Sequence, residues 1–503
     1  FLFLKSVQIP LFVLFDLHQI LFCVLKYCIY IMTPLTDKNI KHAVDEWLAE
    51  PVGQSATYGD NIGAWVVSGV TDMSGLFRDG RSKFNANGVE AAGTLDTSGF
   101  NANISAWDVA KVINMFAMFA NASAFNQPLD WNVSQVRNMR SVFYNASAFN
   151  QPLAWNVSQV TNMRTMFANA SAFNQPLDWN VSQVRNMRSV FFNASAFNQP
   201  LDWNVSQVTN MRTMFCYANT FNKPLNTWDV SSVTDMYAMF ADALAFNQPL
   251  NSWNVSSVER MDNMFDGAAA FNQPLNSWVV SQVTDMNRMF AFATKFNQPL
   301  NSWNVSQVTD MNRMFYRAST FNQPLNSWVV SRVTDMSLMF FEAATFNQPL
   351  NSWVVSQVTN MPGMFYDALA FNQPLNSWDV SSVERMDYMF DRAAAFNQPL
   401  NRWDVSSVER MDYMFYRAST FNQPLNSWNV SEVTNMEGMF GYASAFNQNI
   451  RNWKVGDTTN MGDMFTGATA YLSRTPPVPT TPPRDYFNQA VVAAGNICFL
   501  GDE

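Results

Sequence analysis

Apolar residues recur along most of this chain in one fixed frame. Counted from Phe321 they fall at Leu325, Trp328, Val330, Val333, Met336, Met339, Phe340 and Ala343, with polar or small residues between them. Fifteen tryptophans from Trp107 to Trp453 keep this frame, 24 residues apart up to Trp203 and 25 apart from there. A period of roughly 20–29 residues marks a solenoid, whose units bury their apolar faces only by stacking. Within a unit, Leu-x-x-Trp-x-Val alternates as a short strand does. Val-x-x-Met-x-x-Met-Phe-x-x-Ala advances by threes, which suits a 3₁₀ or irregular turn. The prediction is an α/β-type repeat solenoid, a leucine-rich-repeat-like stack of about 16 coils with one short parallel strand per coil at Trp-x-Val. Stacked at about 4.8 Å, such coils make a rod on the order of 75 Å long.

The flanks break the pattern. Residues 1–33 are strongly apolar but carry Lys5, Asp16, His18 and Lys26, too many charges for about 18 uninterrupted apolar residues. They read as a signal or anchor, or as sequence upstream of a start at Met32. Within 34–60, LTDKNIKHAVDEWLAE predicts a helix capped by Thr36 or Asp37 and stopped by Pro51, covering the first coil as an N-terminal cap. The solenoid then occupies 61–470, with an insertion near 78–100 that predicts a projecting loop. Residues 471–503 read as an extended Pro/Thr linker and a short tail.

Composition narrows the chemistry. Net charge is −9 and charged residues make up 14%, so the surface is polar through Asn, Ser, Thr and Gln. Phosphate binding needs a continuous basic stripe, so nucleic acid is not expected as a partner. Cys23, Cys28, Cys216 and Cys498 lack metal-ligand spacing, and the two histidines, His18 and His42, precede the array. A repeat-borne Ser-His-Asp triad or histidine-ligated zinc is therefore excluded, and neither enzyme activity nor a cofactor is expected. The methionine stripe reads as core, where this flexible side chain fills irregular gaps.

The repeated polar positions have two readings. Asn297, Asn322 and Asn347 belong to a row of fourteen asparagines, Asn126 to Asn447, that follow the repeat phenylalanine. Such a row contacts ligands or, as favoured here, forms a ladder satisfying backbone groups at a turn, beside the stacked Trp303, Trp328 and Trp353. Positions that change between copies carry more information about partners. The outward residue after the tryptophan runs Asn304, Val329, Val354, Asp379, Asp404. Arg137, Arg140, Arg164, Arg185, Arg188 and Arg212 form a basic patch in earlier coils, whereas Glu259, Glu384 and Glu409 with Asp262, Asp387 and Asp412 make later coils acidic. Sequons are dense, as N-A-S at Asn121, Asn145, Asn169 and Asn193 and as N-V-S at Asn132, Asn156, Asn180, Asn204, Asn254, Asn304 and Asn429.

The paired motifs W-x-V-S-x-V-T-x-M and M-F-x-x-A-x-x-F-N-Q-P-L, over residues 61–465, resemble the BspA-like leucine-rich repeat family, the bacterial surface protein 26-residue repeat. That resemblance implies a surface or secreted, non-enzymatic binding rod with protein or glycan partners at a cell surface, and no catalytic residues. Membrane contact would run only through residues 1–33, and a start at Met32 would leave the protein cytoplasmic. The alternatives are a structural spacer, or the repeat part of a precursor. The ending GNICFLGDE resembles the start of Hint autoprocessing domains, in which Cys498 would attack its own preceding carbonyl.

Overall fold

A computed structural model describes residues 34–49, 58–474 and 477–487. The leader 1–33, the tail from 488 and Cys498 lie outside the described residues. The chain divides into two compact units at Asn204/Val205. Each is a stack of coils.

Three aromatic columns form the interior. In the central coils Trp278 and Trp303 stack with ring centroids 6.3 Å apart, Phe296 and Phe321 at 6.0 Å, and Phe315 and Phe340 at 5.6 Å. The two phenylalanine columns touch, as at Phe315–Phe321, 4.1 Å apart. Leucine, valine, methionine and alanine positions of the frame close the remaining space and are fully buried. Trp303 buries its ring and donates its indole N–H to the Leu275 carbonyl of the preceding coil at 2.9 Å, so its one polar atom is satisfied.

The predicted strand does not form at Trp-x-Val. There Trp303 N–H donates to Leu300 C=O and Val308 N–H to Val305 C=O, which makes two consecutive turns. The backbone ladder lies farther on. Thr309 N–H donates back to Thr284, while Met311, Arg313, Phe315 and Arg317 donate forward to Asp335, Ser337, Met339 and Phe341, at 2.7–3.1 Å. The one parallel bridge per coil is at the residue before the first methionine, as Asp310 to Asp335. Alternation at Trp-x-Val thus reports which side chains face inward. It does not report which backbone pairs.

The advance by threes has a specific origin. Met314 N–H donates to Met311 C=O and Ala318 N–H to Phe315 C=O, and the third residue of each turn, Arg313 at φ 55° and Arg317 at φ 56°, is left-handed. This is the type II turn pattern, which demands positive φ at that position. Two such residues recur per coil, and most are not glycine, including Leu338, Glu342, Tyr388 and Tyr413. A left-handed L-residue costs about 1–2 kcal/mol. The ladder bonds on both sides hold it there. The N-A-S asparagines Asn121, Asn145, Asn169 and Asn193 all occupy these positions, which asparagine tolerates well.

Both ends are covered. Helix α1, Ile40–Ala49, buries Ile40, Ala43 and Val44 against the first coil. Asp37 does not cap this helix. Its carboxylate accepts from Thr71 N–H at 2.7 Å, Thr71 Oγ1 at 2.6 Å and Asp72 N–H at 3.0 Å, taking the place of the preceding coil that the first coil lacks. The insertion is a hairpin, β1 Ser82–Phe84 antiparallel to β2 Glu90–Thr94. It is not simply a projecting loop. Arg81, just before β1, forms a buried ion pair of 2.6 Å with Asp45 of α1, and Phe84 of β1 donates its N–H to the same carboxylate at 2.6 Å; only β2 is exposed along its length.

The Pro/Thr segment is likewise not an extended linker. After the short helix α2, Thr469–Leu472, residues 477–487 pack on the last coil. Phe465 N–H donates to Thr480 C=O, Phe487 is 1% exposed, and its ring stacks on Trp453 at 6.4 Å. Tyr486 hydroxyl meets that of Tyr471 at 2.9 Å.

Candidate binding surface

The asparagine row is taken up by the stack. Asn297 Oδ1 accepts from Asn322 N–H at 2.9 Å and from Gln323 Nε2 at 3.0 Å, and Asn322 repeats both bonds to Asn347 and Gln348. Each side-chain carbonyl therefore serves the next coil, which covers a backbone donor where no ladder bond runs. The N-A-S asparagines do the same, with Asn145 Nδ2 donating to Asn121 Oδ1 at 3.0 Å. In Asn145 and Asn193 the nitrogen a glycan would need is engaged by the asparagine of the preceding coil, with Asn193 exposed.

The variable row is on the surface. Asn304, Val329, Val354, Asp379 and Asp404 are all exposed, the two valines at 55% and 56%. The polar members also close a local turn, since Asn304, Asp379 and Asp404 accept the N–H of Ser306, Ser381 and Ser406. Valine forgoes that bond and leaves an apolar side chain in water.

The charged positions resolve into two patterns. In the second unit Asp262, Asp387 and Asp412 are buried and each is forked by an arginine two residues earlier, Arg260, Arg385 and Arg410, at 2.9–3.3 Å. The expected acidic face is to that extent neutralised in place. Farther along, Asp391 is 4% exposed, and burial pushes its carboxyl up to about 7 despite Arg392 nearby. In the first unit Arg140, Arg164 and Arg188 stand half-buried at equivalent positions of consecutive coils, whereas Arg137 and Arg185 are exposed. Arg212 occupies the same frame position in the second unit, over the Tyr237 ring at 3.9 Å.

Other chemistry is sparse. Cys216 is buried, and desolvation with Asp242 and Asp266 nearby raises its thiol to about 12, which keeps it protonated. Among the described residues no group of three or more His, Cys, Asp or Glu side chains is placed to hold a metal, and no helix is long and apolar enough to cross a membrane.

Coils stacked through aromatic columns and side-chain ladders define a tandem-repeat solenoid. The chain belongs to the family described as "Mycoplasma protein of unknown function, DUF285", which matches it in overlapping stretches at 48–154, 95–178, 130–202, 153–249, 201–302, 274–378 and 370–476. No curated protein matches. Among solved structures, one described as the crystal structure of a TLR13-ssRNA13 complex is similar at 8% identity with a TM-score of 0.22, covering 75% of this chain and 73% of that one.

Proposed function

We propose that this protein is a non-enzymatic binding scaffold of the BspA-like kind, displayed at a cell surface or secreted, whose partners are proteins or glycans. The observation that supports this reading is the row Asn304, Val329, Val354, Asp379, Asp404. Its backbone repeats from coil to coil while its exposed side chains change between amide, apolar and acid. Stacking consumes the repeated residues, and selection for packing alone gives no reason to place valines in water. Rigid presentation of such a row lowers the ordering cost of binding.

The test is to present the full chain to matrix proteins and glycans in low and physiological salt. Saturable binding to at least one is expected, weakened at least tenfold by Val329→Asp with Val354→Asp while the melting temperature stays put. No saturable binding in either salt regime would leave the structural-spacer reading standing instead.

A further inference from the structure

Several buried carboxylates in this fold are balanced where they occur. The position after the first methionine of each coil carries Asp262, Asp387 and Asp412 in the second unit, each forked by its own arginine. The equivalent position in the first unit carries Arg140, Arg164 and Arg188. Two residues before each, where a counter-charge would sit, stand the neutral Asn138, Asn162 and Asn186. Among the described residues no carboxylate pairs with any of the three.

The unbalanced column is also partly dry. The Nε atoms of Arg140 and Arg164 are buried with no hydrogen-bond partner. Burial, then the charges of Arg188 and Arg140, lower the Arg164 guanidinium below its ordinary value, and no acid offsets them. Inter-coil ladder bonds such as Met139 N–H to Asn162 C=O set the backbones that carry the arginines about 4.8 Å apart. Three like charges at that spacing repel unless an anion comes from outside. Residues 125–204 hold five arginines and three aspartates, net +2 by 5 − 3, in a chain whose total is −9.

We propose that Arg140, Arg164 and Arg188 form a binding column for a linear anionic polysaccharide, one carboxylate or sulfate meeting one guanidinium per coil. The proposal rests on the binding-scaffold reading and names a ligand class for its first unit. Guanidinium forks match carboxylate and sulfate oxygens in paired hydrogen bonds. A neighbouring row of hydroxyls, with Ser141 and Thr165 in contact at 2.7 Å, suits sugar hydroxyls. Arg140 covers the Phe116 ring at 5.2 Å, which closes one end of the column and leaves that ring unavailable for base stacking. Phe116 and Ser141 also line an open concavity of about 310 Å³, where the carboxylate of Asp79 accepts the Thr97 N–H. Exposed Arg137 and Arg185 stand beside the column as secondary contacts.

The experiment titrates the full chain with a polyuronate, a sulfated linear glycan, a neutral linear glycan of equal length and a single-stranded polynucleotide. Binding to at least one anionic glycan is expected, weakening as salt rises. Arg164→Gln should weaken it at least tenfold, Arg164→Lys less, and Arg140→Gln with Arg164→Gln and Arg188→Gln should abolish it. Arg332→Gln, an exposed arginine of the second unit, should leave it unchanged. Which anionic glycan binds identifies carboxylate or sulfate as the group. The melting temperature of each variant, read without ligand, separates lost binding from lost folding, and the single Arg164 variants suffice if the triple one unfolds. Equal losses from Arg164→Gln and Arg332→Gln, no preference for anionic over neutral glycan, or tighter binding of the polynucleotide would each overturn the proposal. Protein binding sensitive to Val329 and Val354 would survive that outcome, so the two readings fail separately.

Discussion

At the scale of single residues, the repeat is a set of side chains whose polar atoms are satisfied by the neighbouring coil. Trp303→Ala removes a ring stacked on Trp278 and a bond to Leu275, and should lower stability by about 3–5 kcal/mol in chemical denaturation. Asn297→Leu strands the Asn322 N–H and the Gln323 amide, at about 1–2 kcal/mol, whereas Asn297→Asp keeps the acceptor and should cost less. Equal losses for the two would mean that the ladder contributes by shape alone. Ala238 sits at φ 49° with its methyl buried, so Ala238→Gly sets relief of left-handed strain, about 1–2 kcal/mol, against the entropy of glycine and a lost buried methyl, each about 1 kcal/mol, and should change stability by less than about 1 kcal/mol. A loss above about 2 kcal/mol in chemical denaturation would show that the strain is negligible there.

Elements show where sequence was readable and where it was not. The inward positions could be read because burial imposes period and chemistry together: every frame position from Phe321 to Ala343 is buried. The backbone ladder could not, because its members at Asp310, Arg313 and Arg317 are polar, variable and partly left-handed, and none of those properties resembles a strand. The caps were half legible. A helix before the array announces itself by its own period, but Asp37 reaching Thr71, 34 residues on, leaves no local mark. SRTPPVPTTPPRDY carries a linker's composition, although Val478 within it and Phe487 just after it are buried as it covers a core. The candidate surface was legible as a row of varying residues; the paired aspartates and the unpaired arginines differ only in a partner two residues away. Because Phe487 stacks on it, Trp453 has a neighbour on both sides and is 0% exposed. Trp453→Ala should therefore cost nearly as much as Trp303→Ala. Phe487→Ala should cost less than either and raise hydrogen exchange first at Phe465, whose N–H the capping segment covers.

For the molecule as a whole, the balance of raised and lowered carboxyls sets how stability responds to pH. Asp266, Asp285, Asp310 and Asp367 are pushed up chiefly by burial, and Asp391 reaches about 7. A carboxyl whose folded value exceeds its unfolded one, near 3.8, favours the folded state below that unfolded value and loses the benefit as pH rises through the folded value. Around Asp391, Arg392 and Arg417 oppose the rise and Asp367 adds to it. Asp37 runs the other way: burial raises it, but the Thr71 hydroxyl and the Asp72 and Thr71 amides bring it below its usual range, so its contribution fades only in acid. The protein should thus melt at a higher temperature near pH 5 than near pH 8. Asp391→Asn should raise stability at pH 8 by on the order of 2–4 kcal/mol and flatten the slope between pH 5 and 8, with little change at pH 4. Melting of wild type and variant across that range checks it, and an unchanged slope would show that Asp391 is neutralised by Arg392 instead of being left buried and protonated.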